Sequence, residues 1–382
     1  MEGDKYRQDG VNIEEGDDFS AAAAKVCQST YGNSPFVKIT DMSRGNFRGP
    51  RGFDIQNLRG AIQTIAPDGI GTKVVIIDAA QTYGMAARDV FAMTASDITR
   101  WGGMPLIFAS VLDVASLGQK GDPINRAARQ VIMGAHQAAN EIKVVMLTGE
   151  TAELGFCVSS ENPQANLKFN WAGFMVGVYH PDKIILGDNL APGQIIMALK
   201  ENGFRSNGIS SVRKALKIKY GANWWANPEA KQDIIACAEP SVLYDRFICH
   251  LNGWIGSYPT IEMHLIVHLS GGAFESKFAN DLLFPMKLSA RIDNLFEPPA
   301  IMKKCAEWRG MSEEECYSTW NGGQGMIVVI DPEDEKNFIG LAKGFDLVAQ
   351  RCGVIVKNDK PSVIIESRFG SGKTIIYKPK AR

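Results

Sequence analysis

Asp68-Gly69-Ile70-Gly71-Thr72-Lys73 leads directly into the apolar run Val74-Val75-Ile76-Ile77. Within six positions it sets a carboxylate able to hold a hard cation, two glycines and a lysine ahead of a buried-type segment. Glycines let a backbone approach anionic oxygens closely, a lysine supplies a point charge, and an aspartate binds Mg²⁺ through oxygen. The stretch therefore predicts a phosphate-binding turn that opens a strand over 74–77. A glycine-rich turn alone is compatible with an ordinary loop, so its meaning depends on the elements downstream of it.

From Gly71 to Val178 strand and helix patterns alternate. Strands are expected at 74–77, 106–114, 144–147 and 171–179, and helices at 86–101 and 124–139. In the second helix Ile124, Ala128, Val131, Ile132 and Ala135 share one face, as core packing requires. Polar and turn residues at 180–188 mark a boundary, after which the alternation resumes. Helices are expected there at 206–217, 229–251 and 333–352. Strands are expected at 265–269, 288–292 and 326–330, with two more at the end. The division is thus a lead-in over 1–60 with a short helix near 21–26, a first domain over 61–182 and a second over 183–382.

The chain has 382 residues, of which 45% are hydrophobic and 22% charged, with a formal net charge of −1. Near-neutrality removes the long-range field that recruits nucleic acid or an anionic membrane, so an anionic ligand must be caught locally. No apolar run reaches the roughly 18 residues of a membrane span, and the first residues lack the apolar core of a signal peptide, so a cytoplasmic location is expected. Seven scattered cysteines without C-x-x-C spacing read as reduced thiols. His264 and His268 read as strand-core residues, because no acidic partner of an HExxH type lies between them.

Two further carboxylate positions carry chemistry: Asp97 near the end of a helix, and Glu150 in Thr148-Gly-Glu-Thr-Ala-Glu153, placed where the end of a strand presents side chains to a ligand. With Asp68 they could hold Mg²⁺ against a triphosphate. Gly203-Phe-Arg-Ser-Asn-Gly208 precedes a helix whose free N–H groups could bind phosphate. Gly370-Ser-Gly-Lys-Thr374 imitates a P-loop, but Ser367 stands where the first glycine is required and only eight residues remain beyond it. It reads as a turn between strands.

In order and spacing these motifs resemble the aminoimidazole ribonucleotide synthetase (phosphoribosylformylglycinamidine cyclo-ligase) family. The resemblance runs from Tyr6–Gly16 through Asp68–Lys73, Ala92-Met93 with Asp97, Gly149–Glu153, Ala172–Gly177 and Ser206–Lys214 to His268–Gly272 and Thr319–Met326. It implies an α/β (α+β) two-domain fold, with first-domain strands forming a barrel across a homodimer. It also implies ATP-dependent closure of formylglycinamidine ribonucleotide to aminoimidazole ribonucleotide.

By this resemblance Asp68, Asp97 and Glu150 hold Mg²⁺. Gly69, Gly71, Thr72, Lys73, Gly149 and Thr151 join them around ATP, with Lys73 on phosphate. Arg205, Ser206, Asn207, Gly208, Asn321 and Gly322 meet the substrate. Asp68, Lys73, Asp97 and Asn207 form the catalytic set. The chain departs from the family pattern at Thr148, at Leu154–Phe156, at Gln324 and at Arg205, where the family has histidine. The family's N-terminal glycine-rich loop is replaced by Gly45–Phe53, and 157–170 is lengthened. Selenophosphate synthetase, hydrogenase-maturation and thiamine-phosphate kinase relatives, and a homologue without turnover, remain the alternatives.

Overall fold

A computed structural model describes residues 13–256, 258–370 and 372–379. The described residues form two compact units, those within 13–98 with 104–181 and those within 99–103 with 182–379. The motif over 6–12 lies outside the described residues, as does Ser371.

The first unit begins with helix α1 (Ile13–Ser29) and the antiparallel hairpin β1 (Val37–Asp41) and β2 (Arg51–Ile55). The expected lead-in is thus more ordered than its polar composition suggests. Beyond it come β3 (Ile62–Gly69), α2 (Lys73–Ala80), α3 (Ala86–Thr99), β4 (Met104–Val114), α4 (Pro123–Ile142), β5 (Val145–Glu153) and β6 (Phe169–Tyr179). The four strands β3 to β6 form one sheet in the order β3-β6-β4-β5. Its β4–β5 pair is parallel, joined by α4 as a crossover, and its other pairs are antiparallel. This sheet is open, with β3 and β5 as its edges, and no sheet among the described residues closes into a barrel.

The structure corrects two expectations in this unit. Residues 74–77 form helix α2, not a strand, and the strand is β3, which ends on Asp68-Gly69. Val75, Ile76 and Ile77 are all buried, and an apolar run buried on every side cannot be assigned by periodicity. Likewise β5 does not stop at Leu147. It continues through Glu153 against β4, past a bulge that leaves Leu147 as the extra residue between Met146, opposite Phe108, and Thr148, opposite Ala109.

The second unit is built on a seven-stranded sheet in the order β13-β12-β9-β11-β7-β10-β8. Its strands are β7 (Ile195–Lys200), β8 (Met263–His268), β9 (Ser289–Ile292), β10 (Gln324–Ile330), β11 (Ala349–Val356), β12 (Val363–Glu366) and β13 (Thr374–Tyr377). Alternation along β7 explains the two-faced core. Ile196 and Ala198 pack into one cluster with Phe274 and Tyr317, while Ile195, Met197 and Leu199 enter another with Phe247 and Phe338.

Flanking helices are α5 (Ile209–Tyr220), α6 (Lys231–Cys237), α7 (Asp245–Leu251), a π-helical segment (Phe274–Leu283), α8 (Ala300–Arg309), α9 (Glu313–Thr319) and α10 (Glu335–Gly344). The helix expected over 229–251 is two helices, interrupted around Pro240, whose ring removes a donor. The helix expected over 333–352 ends at Gly344, and the remainder is β11. His264 and His268 both lie buried in β8. Gly370 and Gly372–Thr374 connect β12 to β13 and open no helix. No described helix is long and apolar enough to cross a membrane.

Among the described glycines of the first unit, the closest backbone approach is at Gly134 of α4, where a β-carbon would lie 2.0 Å from the Gly84 carbonyl oxygen. Backbone on both sides leaves nothing to rotate away. Gly134→Ala is therefore expected to destabilise the protein by about 2–3 kcal/mol through overpacking, measured by denaturant unfolding; a change within 0.5 kcal/mol would show that the contact yields.

Candidate functional site

In the first unit Asp68 ends β3, half-buried, and its Oδ1 accepts the Gly69 N–H at 2.6 Å. Gly71 takes φ +61°, a conformation that lets the chain turn from β3 into α2. Asp97 is half-buried on α3, and Glu150 is exposed on β5. Among the described residues no three His, Cys, Asp or Glu side chains converge as a metal group. Mg²⁺, however, is commonly held by one or two carboxylates plus substrate phosphates. One or two of Asp68, Asp97 and Glu150 supply oxygens of the kind that mode of binding uses.

Lys73 does not stand on an open turn. Its side chain is fully buried, with Nζ 2.8 Å from Asp89 Oδ1, so the charge expected for phosphate is turned into the unit as an ion pair between α2 and α3.

A cleft of about 600 Å³ opens beside β5. Thr148, Gly149, Glu150 and Thr151 line it, facing α1 and the loop Phe47–Arg51 across the gap. Arg51 holds that loop through its carbonyls, donating from Nη1 to Phe47 O at 3.0 Å and Gly49 O at 3.2 Å. Arg48 lies over the Phe47 ring, 4.5 Å from its centroid, and pairs with Asp17 of α1. On the cleft wall burial raises the Cys27 thiol to about 11, so it stays protonated near neutrality even with Arg51 pulling the other way. Sequence reasoning marks 45–53 as a replaced loop without singling out Phe47, Arg48 or Arg51. Two arginines flanking Gly49-Pro50 are the available signal.

In the second unit Gly208, at φ +74°, starts α5 against Trp320, whose indole N–H donates to Gly208 O at 3.2 Å. A β-carbon at Gly208 would meet Thr319 O at 2.5 Å, so only glycine fits. A capping box between Ser312 and Glu315 opens α9, which delivers Trp320 and Asn321. Asn321 donates to Gly203 O at 2.9 Å and accepts from Gly323 N at 2.7 Å. Ser206, Asn207, Gly208, Asn321 and Gly322 are thus brought onto two neighbouring loops, with Asn207 exposed beside Ser270 and Gly271.

Arg205 is not exposed with them. Its side chain is 1% exposed, and Nη1 donates to Glu201 Oε2 at 2.9 Å. The Tyr244 hydroxyl donates to Lys200 O at 2.6 Å, and burial together with the Glu201 charge raises it well above its ordinary range. Gln324 is equally internal: its amide donates to Gly322 O at 2.5 Å and its carbonyl accepts from Phe296 N at 2.6 Å. His268, fully buried, is held well below the usual imidazole range, first by burial and then by the cations of Arg205, Lys277 and Arg100.

Residues 58–179 match the family described as AIR synthase related protein, N-terminal domain, and residues 191–366 match its C-terminal domain. A phosphoribosylformylglycinamidine cyclo-ligase of Alkaliphilus oremlandii is 27% identical over 367 residues, covering 94% of this chain and 99% of that protein. The protein of the same name from Caldanaerobacter subterraneus is 28% identical, covering 93% and 98%. Among solved structures, thiamine-monophosphate kinase from Stenotrophomonas maltophilia shares the fold, with a TM-score of 0.57 at 12% identity, covering 89% of this chain and 94% of that one. With both domain descriptions matched in order and full-length relatives aligned nearly end to end, the chain belongs to the AIR synthase related family.

Proposed function

We propose that the chain catalyses ATP-dependent ring closure of formylglycinamidine ribonucleotide to aminoimidazole ribonucleotide, as the names of its full-length relatives suggest. In that reaction the γ-phosphoryl group of ATP passes to the formyl amide oxygen, breaking its bond to ADP. A substrate nitrogen then attacks the activated carbon, and the carbon–oxygen bond breaks to release phosphate. The chain needs no covalent nucleophile for this, only alignment and stabilisation of phosphoryl charge.

The observation that carries the reading is that Asp68 and Glu150 with the glycines expected around ATP, and the Asn207 and Asn321 loops expected around substrate, occur on turns or an edge strand built by local structure, while Asp97 lies in the last turns of α3. We assign Asp68, Asp97 and Glu150 to Mg²⁺ and the N–H groups of Gly71, Thr72, Gly149 and Thr151 to phosphate oxygens, with the Gly69 N–H holding the Asp68 carboxylate beside them. When bound, Mg²⁺ would neutralise charge on the transferring phosphoryl group. Lys73 acts by fixing the turn after Asp68. Asn207 and Asn321 orient the substrate amide, with Ser206, Gly208 and Gly322 shaping their loops. Arg205 positions that segment through Glu201 and does not touch substrate.

The barrel and homodimer belong to the same reading. The open sheet exposes Ile62 and Ile65 on edge strand β3, at 61% and 59%. An unpaired edge with apolar side chains is stabilised by pairing with another strand. Closing two such sheets into a barrel would use both edges of each, and would bring partner residues toward the Asp68 and Glu150 edges.

With MgATP and formylglycinamidine ribonucleotide, the purified chain is expected to release ADP one for one with aminoimidazole ribonucleotide; ATP binding without substrate-dependent turnover would overturn the reading. Asp68→Asn should lower kcat by roughly a hundredfold or more with an unchanged circular dichroism spectrum, and wild-type kcat would remove its assigned role. Arg205→Met, which removes the cation opposite the buried Glu201 carboxylate, should cost about 3–5 kcal/mol of stability. A stable variant with a raised KM would instead return Arg205 to the substrate.

A further inference from the structure

The cleft beside β5 contains more recognition chemistry than the motifs account for. Its volume, about 600 Å³, lies within the range that encloses a nucleotide-sized ligand. One wall is β5 with the backbone of Thr148–Thr151; the opposite wall is the Phe47–Arg51 loop, and Tyr31 contributes from the segment after α1. The Tyr31 hydroxyl is buried there without a hydrogen bond, a condition that a bound polar group would relieve.

The loop is built rather than loose. Arg51 ties together the carbonyls of Asn46, Phe47 and Gly49, and a β-carbon on Gly49 would fall 2.4 Å from Ser43 Cα. What this held loop presents is Arg48, 60% exposed, lying over Phe47. Its carboxylate partner, Asp17, is 42% exposed on the same cleft. An ion pair this open to water contributes little to stability, so breaking it costs little. A polyphosphate offers the same guanidinium two or more anionic oxygens in a geometry suited to its fork.

We propose that Arg48 is a polyphosphate-binding residue: it exchanges Asp17 for the polyphosphate of a nucleoside triphosphate bound in this cleft, while Phe47 and Tyr31 line the rest of the ligand. The proposal rests on the ATP reading above and extends it to a loop that replaces the family's glycine-rich one. Glu150 and Glu153 line the same cleft, so a polyphosphate bound there needs cations to offset them, and Arg48 is one the loop supplies.

The test is calorimetric titration of the full chain with MgATP, MgADP, AMP and ribose 5-phosphate, using wild type, Arg48→Ala, Arg48→Lys and Asp17→Asn. Loss of a charge-assisted contact should weaken MgATP and MgADP by roughly tenfold to a hundredfold in Arg48→Ala, with AMP changed far less and the unfolding midpoint unmoved. Arg48→Lys should recover only part of the affinity, and Asp17→Asn should bind MgATP more tightly than wild type. Equal MgATP affinity in wild type and Arg48→Ala overturns the assignment. So does a loss confined to ribose 5-phosphate, which would give the arginine to a substrate phosphate. Failure of wild type to bind MgATP at all defeats the underlying ATP reading and the Arg48 proposal with it.

Discussion

A lysine and an aspartate with almost no solvent contact hold the first unit's chemistry in place. Lys73 begins α2 immediately after the Asp68–Thr72 turn, and Asp89 lies on α3, eight residues before Asp97. Their 2.8 Å contact therefore ties together the two helices adjoining two of the proposed metal-holding carboxylates. Buried charges are costly to separate, because removing one partner leaves the other uncompensated at about 3–5 kcal/mol. The turn after Asp68 is consequently anchored from behind by a charge, and its front is left to backbone N–H groups and the carboxylate.

The second unit uses the same device, a buried ion pair between Arg205 and Glu201. Arg205 and Gln324, which depart from the family pattern, each sit in the interior with hydrogen bonds made: Arg205 with Glu201, Gln324 with the backbone of Gly322 and Phe296. Together with Asn321 they fix the two loops that carry Ser206–Gly208 and Gly322. A substitution that looks catalytic in a linear motif can thus be architectural in three dimensions.

Motif spacing reveals where chemistry gathers but not how the backbone passes through it. Asp68 and Asn207 stand near element ends, where glycine placement is a local property, whereas Glu150, read as lying past a strand end, is inside edge strand β5. Residues 74–77 read as a strand in the sequence because a helix turn with three successive buried residues and a buried strand have the same composition. The run beyond Leu147 reads as lying past its strand because a bulge has no composition of its own. The cleft loop escapes for another reason: Arg48 gains meaning only from Asp17 and Phe47, and the partnership with Asp17 spans 31 residues. Pairings at that range depend on topology, which no local pattern encodes.

The bulge at Leu147 has a consequence for how this strand can change over time. In a regular strand, gaining or losing one residue turns every later side chain to the opposite face. Here Met146 and Thr148 already face successive residues of β4 with Leu147 set aside between them. At this point alone along the strand, chain length is uncoupled from side-chain direction. Relatives one residue shorter could keep the glutamate of Thr148-Gly-Glu-Thr151 aimed as it is, so lineages can differ in length at this position while presenting the same chemistry.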